Sequence, residues 1–315
     1  MADLATVIGG SGFLGRYIVQ DLARAGWRVR VACRSPHRAG FLRPMGEVGQ
    51  IQLVAADLTR PETLAPAVAG AAAVVNLPGI LAPSGRQTFT AVQAEGAGHA
   101  AQAAARAGAR AFVHVSAIGA DPASPSAYGR SKAVGEAQVR AAFPAATILR
   151  PSLVFGPEDG FLNRFAAMAR LAPAMPVIEG DSRFQPVWVV DVARAAALAA
   201  QDPARFGGRV FELGGPTVYS FREILAFVLA QTQRARPLVE VPRPIARLLA
   251  AAGDILPAMP MTSDQLAMLA RDNVAGESVP GLAAFDITPT PMEAVAPAWL
   301  ERYRRFGRFA RPGAA

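Results

Sequence analysis

The first fifteen residues constrain this chain more than any later stretch. An apolar run, Leu4-Ala5-Thr6-Val7-Ile8, passes directly into Gly9-Gly10-Ser11-Gly12-Phe13-Leu14-Gly15. Glycines this dense are costly inside a strand or a helix, because glycine loses the most backbone freedom on folding. They read as a tight turn joining a strand to a helix. Two spacings coexist: Gly10, Gly12 and Gly15 form G-x-G-x-x-G, while Gly9, Gly12 and Gly15 form G-x-x-G-x-x-G. Either spacing lets the backbone approach a pyrophosphate and lets helix pack closely on strand. The N-terminus of the following helix, from Phe13 and Leu14 onward, then offers unbonded N–H groups and a partial positive charge to the phosphates. A glycine turn without a ligand is the alternative. The strand before it and the helix after it favour the dinucleotide.

Strand and helix patterns alternate through the first half. Strands are expected at 4–8, 27–33, 51–55, 72–77, 111–116 and 146–149. Helices are expected at 17–25, from about 61, at 88–107 and at 126–143. Alternation at these lengths predicts an α/β fold, a Rossmann-type doubly wound parallel sheet. After Gly156 the pattern changes to helices at 162–171, 190–200 and 221–231 mixed with short strands at 186–189 and 210–213. Residues 1–155 therefore read as a nucleotide-binding core. Residues 156–315 read as a smaller mixed C-terminal lobe that packs partly back on the core and carries a basic tail, 300–315.

The 315-residue chain is 52% apolar, enough to bury a core without staples. Its one cysteine, Cys33, excludes an internal disulfide and fits a reducing cytoplasm. No signal-peptide pattern precedes the first strand, and no run reaches the roughly 18 apolar residues that span a bilayer. The expected location is cytoplasmic, extending to a peripheral place on the inner face of the cell membrane. The net charge of +8 raises nucleic acid as a partner. The arginines are scattered, however, and no binding motif accompanies them, so nucleic acid is not expected.

An NAD site usually closes the second strand with Asp or Glu, which holds the ribose hydroxyls. Here that strand ends Val31-Ala32-Cys33-Arg34-Ser35, and no acidic residue follows until Glu47. Arg34 and Arg38 are available instead to grip a 2′-phosphate. The reading favours NADP(H) over NAD(H), with ordinary surface arginines as the alternative. Asp57-Leu58 follows the third strand, where the aspartate either accepts from an adenine amino group or serves as a turn or cap residue.

Lys132 is the only lysine among 32 basic residues. Arginine replaces lysine freely on a solvated surface but not where a compact ammonium is required. Lys132 stands four residues after Tyr128, in Y-x-x-x-K at the start of a helix, so the two side chains share one face. A nearby ammonium favours the phenolate and makes tyrosine a usable proton shuttle. The competing reading pairs Lys132 with Glu136 as a surface salt bridge. A functional lysine also need not be catalytic, since it could simply bind the ribose.

Together these features resemble the short-chain dehydrogenase/reductase superfamily, in its branch with an extended C-terminal lobe. Gly9, Gly12 and Gly15 match the glycine motif, and Asp57-Leu58 the adenine-contacting pair. Asn76-Leu77-Pro78-Gly79 falls where the fourth strand meets the cofactor, which makes Leu77 and Pro78 cofactor contacts. Tyr128 and Lys132 match the active pair. Arg150-Pro151-Ser152-Leu153 resembles the segment that passes the nicotinamide, which places Pro151 there. Within the superfamily the chain resembles the atypical branch containing the NADPH-binding accessory subunit of respiratory complex I and its bacterial relatives. Val115-Ser116-Ala117-Ile118-Gly119-Ala120, residues 184–193, 212–216 and 261–266, and Asp272-Asn273-Val274 carry that likeness. It implies bound NADPH and a respiratory-complex or quinone-biosynthesis partner.

Active relatives usually carry a hydroxyl run after the fifth strand, one member of which holds the substrate oxygen. Here the run is Ser116-Ala117. Losing such a donor typically costs about 10²–10³ in rate. Ser116 either substitutes as a catalytic residue or only lines the cofactor site. Gln93 stands where active relatives often have Asn. Three readings follow: a nucleotide-holding protein of a respiratory or quinone-linked complex with weak or lost catalysis, an active NADP-dependent oxidoreductase or epimerase on a small molecule, and an NADP(H)-sensing regulator.

In the lobe, Ile245, Leu248, Leu249, Ala252, Ile255 and Leu256 form an apolar helical stripe between Pro244 and Pro257, expected to pack within the lobe rather than to lie on a membrane. Arg302, Arg304, Arg305, Arg308 and Arg311 alternate with Tyr303, Phe306 and Phe309. This tail is either a solvated end or a contact for anionic lipid or an acidic subunit. His37, His99 and His114 show no metal-ligand spacing.

Overall fold

The computed structural model describes residues 2–256 and 261–307. Six strands follow in chain order: β1 (Leu4–Ile8), β2 (Arg28–Cys33), β3 (Ile51–Ala55), β4 (Ala73–Asn76), β5 (Ala111–Val115) and β6 (Thr147–Pro151). Val210–Leu213 joins β6 as a seventh strand. The sheet order is Val210–Leu213, β6, β5, β4, β1, β2, β3, and every pair is parallel. Both faces of such a sheet are covered, so its strands read as nearly unbroken apolar runs. All five residues of β5 are buried. The strand order reverses between β1 and β4, the switch point beside which ligands bind in this architecture.

The helices α1 (Phe13–Arg24), α2 (Leu64–Val68), α3 (Gly96–Arg106) and α4 (Ala127–Ala142) connect the strands. Helix α1 packs against Val189–Gln201, while α3 packs between α2 and α4. Glycine sets the fit of α4. A Cβ on Gly135 would stand 2.0 Å from the carbonyl oxygen of Gln93, so only glycine lets α4 approach that backbone.

Two segments depart from the sequence expectation. Residues 36–45 form a 3₁₀ stretch, Pro36–Met45, with Pro44 inside it. It lacks the 3.6-residue apolar period that announces a helix. The helix expected over 88–107 is interrupted by a π-helical turn, Thr90–Glu95, before α3 begins. Such turns re-aim side chains by one position and recur at functional sites. Here it buries Gln93.

The chain divides into two compact units. One comprises residues 1–151, 189–213 and 275–288; the other comprises 152–188, 214–274 and 289–315. The second unit is built on an aromatic core that includes Phe155, Phe184, Phe221 and Trp299. Three two-stranded pairs flank that core, among them Val154–Phe155 with Val187–Trp188. The apolar stripe of Arg243–Ile255 does not pack as expected. Ala246 and Ala250 form the buried face, while Ile245, Leu248 and Leu256 are 51%, 72% and 55% exposed. The small alanines allow close packing and turn the bulky residues outward. Pro257 and the side chain of Ile255 lie outside the described residues.

In the basic tail, Arg302 donates to Asn163 Oδ1 at 2.7 Å and Arg304 to the Gln231 carbonyl at 3.0 Å. That part of the tail is bonded into the second unit. Arg308, Phe309 and Arg311 lie outside the described residues. No helix among the described residues is long and apolar enough to cross a membrane.

Candidate functional site

The two overlapping glycine spacings have separate roles. Gly9 adopts φ +80°, a region that excludes ordinary side chains, and its amide bonds to the Ala32 carbonyl at 2.8 Å. A Cβ on Gly15 would stand 2.5 Å from Gly9 O and 2.6 Å from Gly10 Cα. Gly9 and Gly15 therefore shape the backbone, whereas Gly10 fits among the side chains of Val7, Val19 and Val31. Gly12 precedes α1 in extended backbone, and no side chain caps the helix. The first-turn amides of Phe13, Leu14 and Gly15 have no partner within the helix and form the positive end of its dipole. Leu77 and Pro78 lie over the turn: a Cβ on Gly9 would meet Pro78 Cγ at 3.1 Å and Leu77 Cβ at 3.5 Å.

Arg34 lies just beyond β2 and Arg38 within Pro36–Met45; both are exposed. Among the described residues no hydrogen bond or ion pair holds either guanidinium. Beside α1, Arg16 lies over the Phe41 ring at 5.1 Å. Asp57 is already committed: its Oδ1 accepts from the Thr59 amide and hydroxyl, each at 2.9 Å. Desolvation raises the Asp57 carboxyl. The Thr59 bonds, a longer one from Gln87 and the charge of Arg34 outweigh that burial and hold it below its ordinary value. The turn role of Asp57 is thus fully formed, and Leu58 points into the core.

Ser126 caps α4, accepting from the Gly129 amide, and so fixes where Tyr128 and Lys132 sit on the first turns. Lys132 Nζ is 5.9 Å from the centre of the Tyr128 ring, which meets Phe89 edge-on. The lysine is buried and donates to the Val115 carbonyl at 3.1 Å. Gly79 makes room for it, since a Cβ there would stand 3.3 Å from Nζ. The competing Lys132–Glu136 salt bridge is not formed: Glu136 takes Arg150 in a bidentate pair at 2.7 and 2.8 Å, and Arg150 also reaches Glu212.

The electrostatics differ from the expected phenolate. Desolvation pushes Tyr128 up to about 12, and the ammonium held at Val115 does not offset it. Desolvation also lowers Lys132 to about 8, opposed by Glu136.

Just past β5, Ser116 is buried with its amide on the Leu149 carbonyl at 2.7 Å, and its hydroxyl has no partner among the described residues. Ala117 follows with no hydroxyl to offer. Pro151 closes β6, its carbonyl accepting from the Ile118 amide. Gln93 uses both ends of its amide: Oε1 accepts from the Ile80 amide at 2.9 Å and Nε2 donates to Ser131 Oγ at 3.0 Å. Ser131 in turn donates to the Tyr128 carbonyl. Gln93 is therefore a strut between the β4 loop and α4.

The structure pairs two residues whose connection sequence reasoning missed. Asn76 and His114 are opposite in the β4–β5 ladder and bond to each other at 3.1 Å, fully buried. The available signal was a polar residue within each of two otherwise apolar strands.

Known proteins agree with this arrangement. The profile of the NAD dependent epimerase/dehydratase family matches residues 5–214. The chain is 33% identical to "NADH dehydrogenase [ubiquinone] 1 alpha subcomplex subunit 9, mitochondrial" of Arabidopsis thaliana, over 96% of this chain and 79% of that protein. It is 35% identical to a "Ceramide reductase" of Caulobacter vibrioides, over 64% of this chain and 62% of that protein. Its fold matches an NADPH-dependent quinone oxidoreductase of Escherichia coli complexed with NADPH. The TM-score is 0.73 at 20% identity, over 94% of this chain and 99% of that one. This chain belongs to the NAD dependent epimerase/dehydratase family.

Proposed function

We propose that the chain holds NADP(H) and serves as a nucleotide-loaded accessory component of a respiratory or quinone-linked complex, with catalysis weak or lost. The observation that carries this reading is the contrast between an uncapped, glycine-shaped α1 N-terminus and a reaction end without a hydroxyl at 117. The α1 amides would hold the pyrophosphate, Lys132 the ribose, and Arg34 with Arg38 the 2′-phosphate. The absence of an acid at the end of β2 supports NADP(H) over NAD(H). NADPH supplies a hydride when bound. The chain's own Tyr128 would have to supply the matching proton, and its phenol, raised by desolvation, is poorly prepared to cycle. Similarity to the Arabidopsis complex subunit supports the assembly role. The exposed Ile245, Leu248 and Leu256, with Arg247 beside them, support peripheral contact with an anionic membrane face.

The test is steady-state oxidation of NADPH by purified protein with quinones and sugar nucleotides, alongside fractionation with respiratory membranes. No turnover and co-migration with a respiratory complex are expected. Sustained turnover would favour the second reading, an NADP-dependent reductase using Tyr128 and Lys132. That reading draws on the shared face of the pair and on similarity to the ceramide reductase.

A further inference from the structure

Among the described residues, three buried polar atoms without a protein partner lie on β4, on β5 and just past the end of β5, beside Lys132. They are Asn76 Oδ1, His114 Nε2 and Ser116 Oγ. Asn76 pairs with His114 across the β4–β5 ladder, and Ser116 lies two residues after His114, so all three side chains share one face of the sheet. With the Asn76 amide donating to His114 Nδ1, the ring hydrogen lies on Nε2. The group thus offers one acceptor, one N–H donor and one hydroxyl, and all three residues are at most 3% exposed. Lys132 brings a matching need. An ammonium carries three donors, and among the described residues Nζ reaches one protein acceptor, the carbonyl of Val115, which lies between His114 and Ser116 in the chain. The Lys132 charge is also felt at the His114 ring.

Unpaired buried polar groups are costly, and native proteins commonly satisfy them with ordered water held by two to four partners. We propose that Asn76, His114 and Ser116 wall a buried water site that solvates the Lys132 ammonium, and that Ser116 and His114 are positioning residues for that lysine. Ser116 then acts through Lys132 rather than on a substrate. The charged and titratable groups facing Lys132 are Tyr128, His114 and Glu136, the last neutralised by Arg150.

The sole lysine makes the test direct. With lysine labelled at 13Cε, the nucleotide-free full chain gives one signal, whose titration midpoint is expected near 8. Ser116→Ala removes one oxygen and should move the midpoint down by about one pH unit, since the ammonium loses hydrogen-bonded water. His114→Leu should move it the same way. A high-resolution crystal structure should place a water within hydrogen-bond reach of His114 Nε2 and Ser116 Oγ. Midpoints unchanged in both variants, or a closed apolar contact where the water belongs, would overturn the proposal. No nucleotide is used, so a failure here leaves the cofactor reading standing, and the reverse also holds.

Discussion

At the β1–α1 turn, sequence, backbone and packing all specify the same thing. Gly9 takes a conformation other residues avoid, Gly15 admits no side chain, and no polar side chain competes for the helix amides. Around the start of α4 and the close of β5, the parts are present but committed elsewhere. Lys132 is held by a backbone carbonyl, Gln93 is used at both ends as a strut, and the position after Ser116 is alanine. A binding site tolerates such commitments, because a ligand needs only compatible donors. A reaction needs a proton donor at the right energy and a partner for the developing charge, so one missing hydroxyl weighs more there.

The largest expected effect breaks the first region. Gly15→Val forces a side chain into the Gly9 carbonyl, and NADPH affinity should fall by more than about a thousandfold as several phosphate contacts are lost together. Calorimetric titration beside thermal unfolding separates lost binding from lost fold. Next, Ala117→Ser restores a hydroxyl to the second region. If its absence silences the site, turnover of NADPH with a carbonyl substrate should rise by about 10²–10³. An unchanged rate would place the deficit at Tyr128 or Gln93 instead.

A third prediction concerns pH. Burial holds the Lys132 ammonium near 8 against 10.5 for a free lysine. Between those values the unfolded chain binds one more proton than the native chain, so stability of the nucleotide-free protein should rise with pH from about 8 to 10. The gain is about 2–3 kcal/mol at most, and it ends where unfolded tyrosines ionise while native Tyr128, raised to about 12, does not. Urea unfolding of Lys132→Met should lack the rise. The smallest effect sharpens cofactor choice. Arg34→Asp should weaken NADPH binding by about tenfold and narrow its advantage over NADH.

Much of this contrast was legible in the chain. Leu4–Ile8 has the bounds its apolar run suggests, because a central buried parallel strand writes itself as a nearly continuous apolar segment. The half-exposed edge strands Ile51–Ala55 and Val210–Leu213 keep the expected bounds although Gln52 and Glu212 interrupt them. The site's partners were less legible, since they depend on register. Asn76 meets His114 only through the β4–β5 pairing, and Gln93 meets Ile80 and Ser131 only because a π-helical turn shifts it. The packing face of Arg243–Ile255 was misread for a related reason. Alanines, not the bulkier leucines, suit a close helix contact, and size alone does not reveal which neighbour comes near.

The central claim is that the α1 amides and Lys132 hold a dinucleotide. The direct measurement is to denature the purified full chain and identify the released nucleotide by chromatography and mass, with NADPH titration of the stripped protein as its complement. NADP(H) in near-equal amount to protein, or saturable rebinding that Gly15→Val abolishes, is the expected result. Release of no nucleotide, together with no binding of added NADPH or NADH, would contradict it.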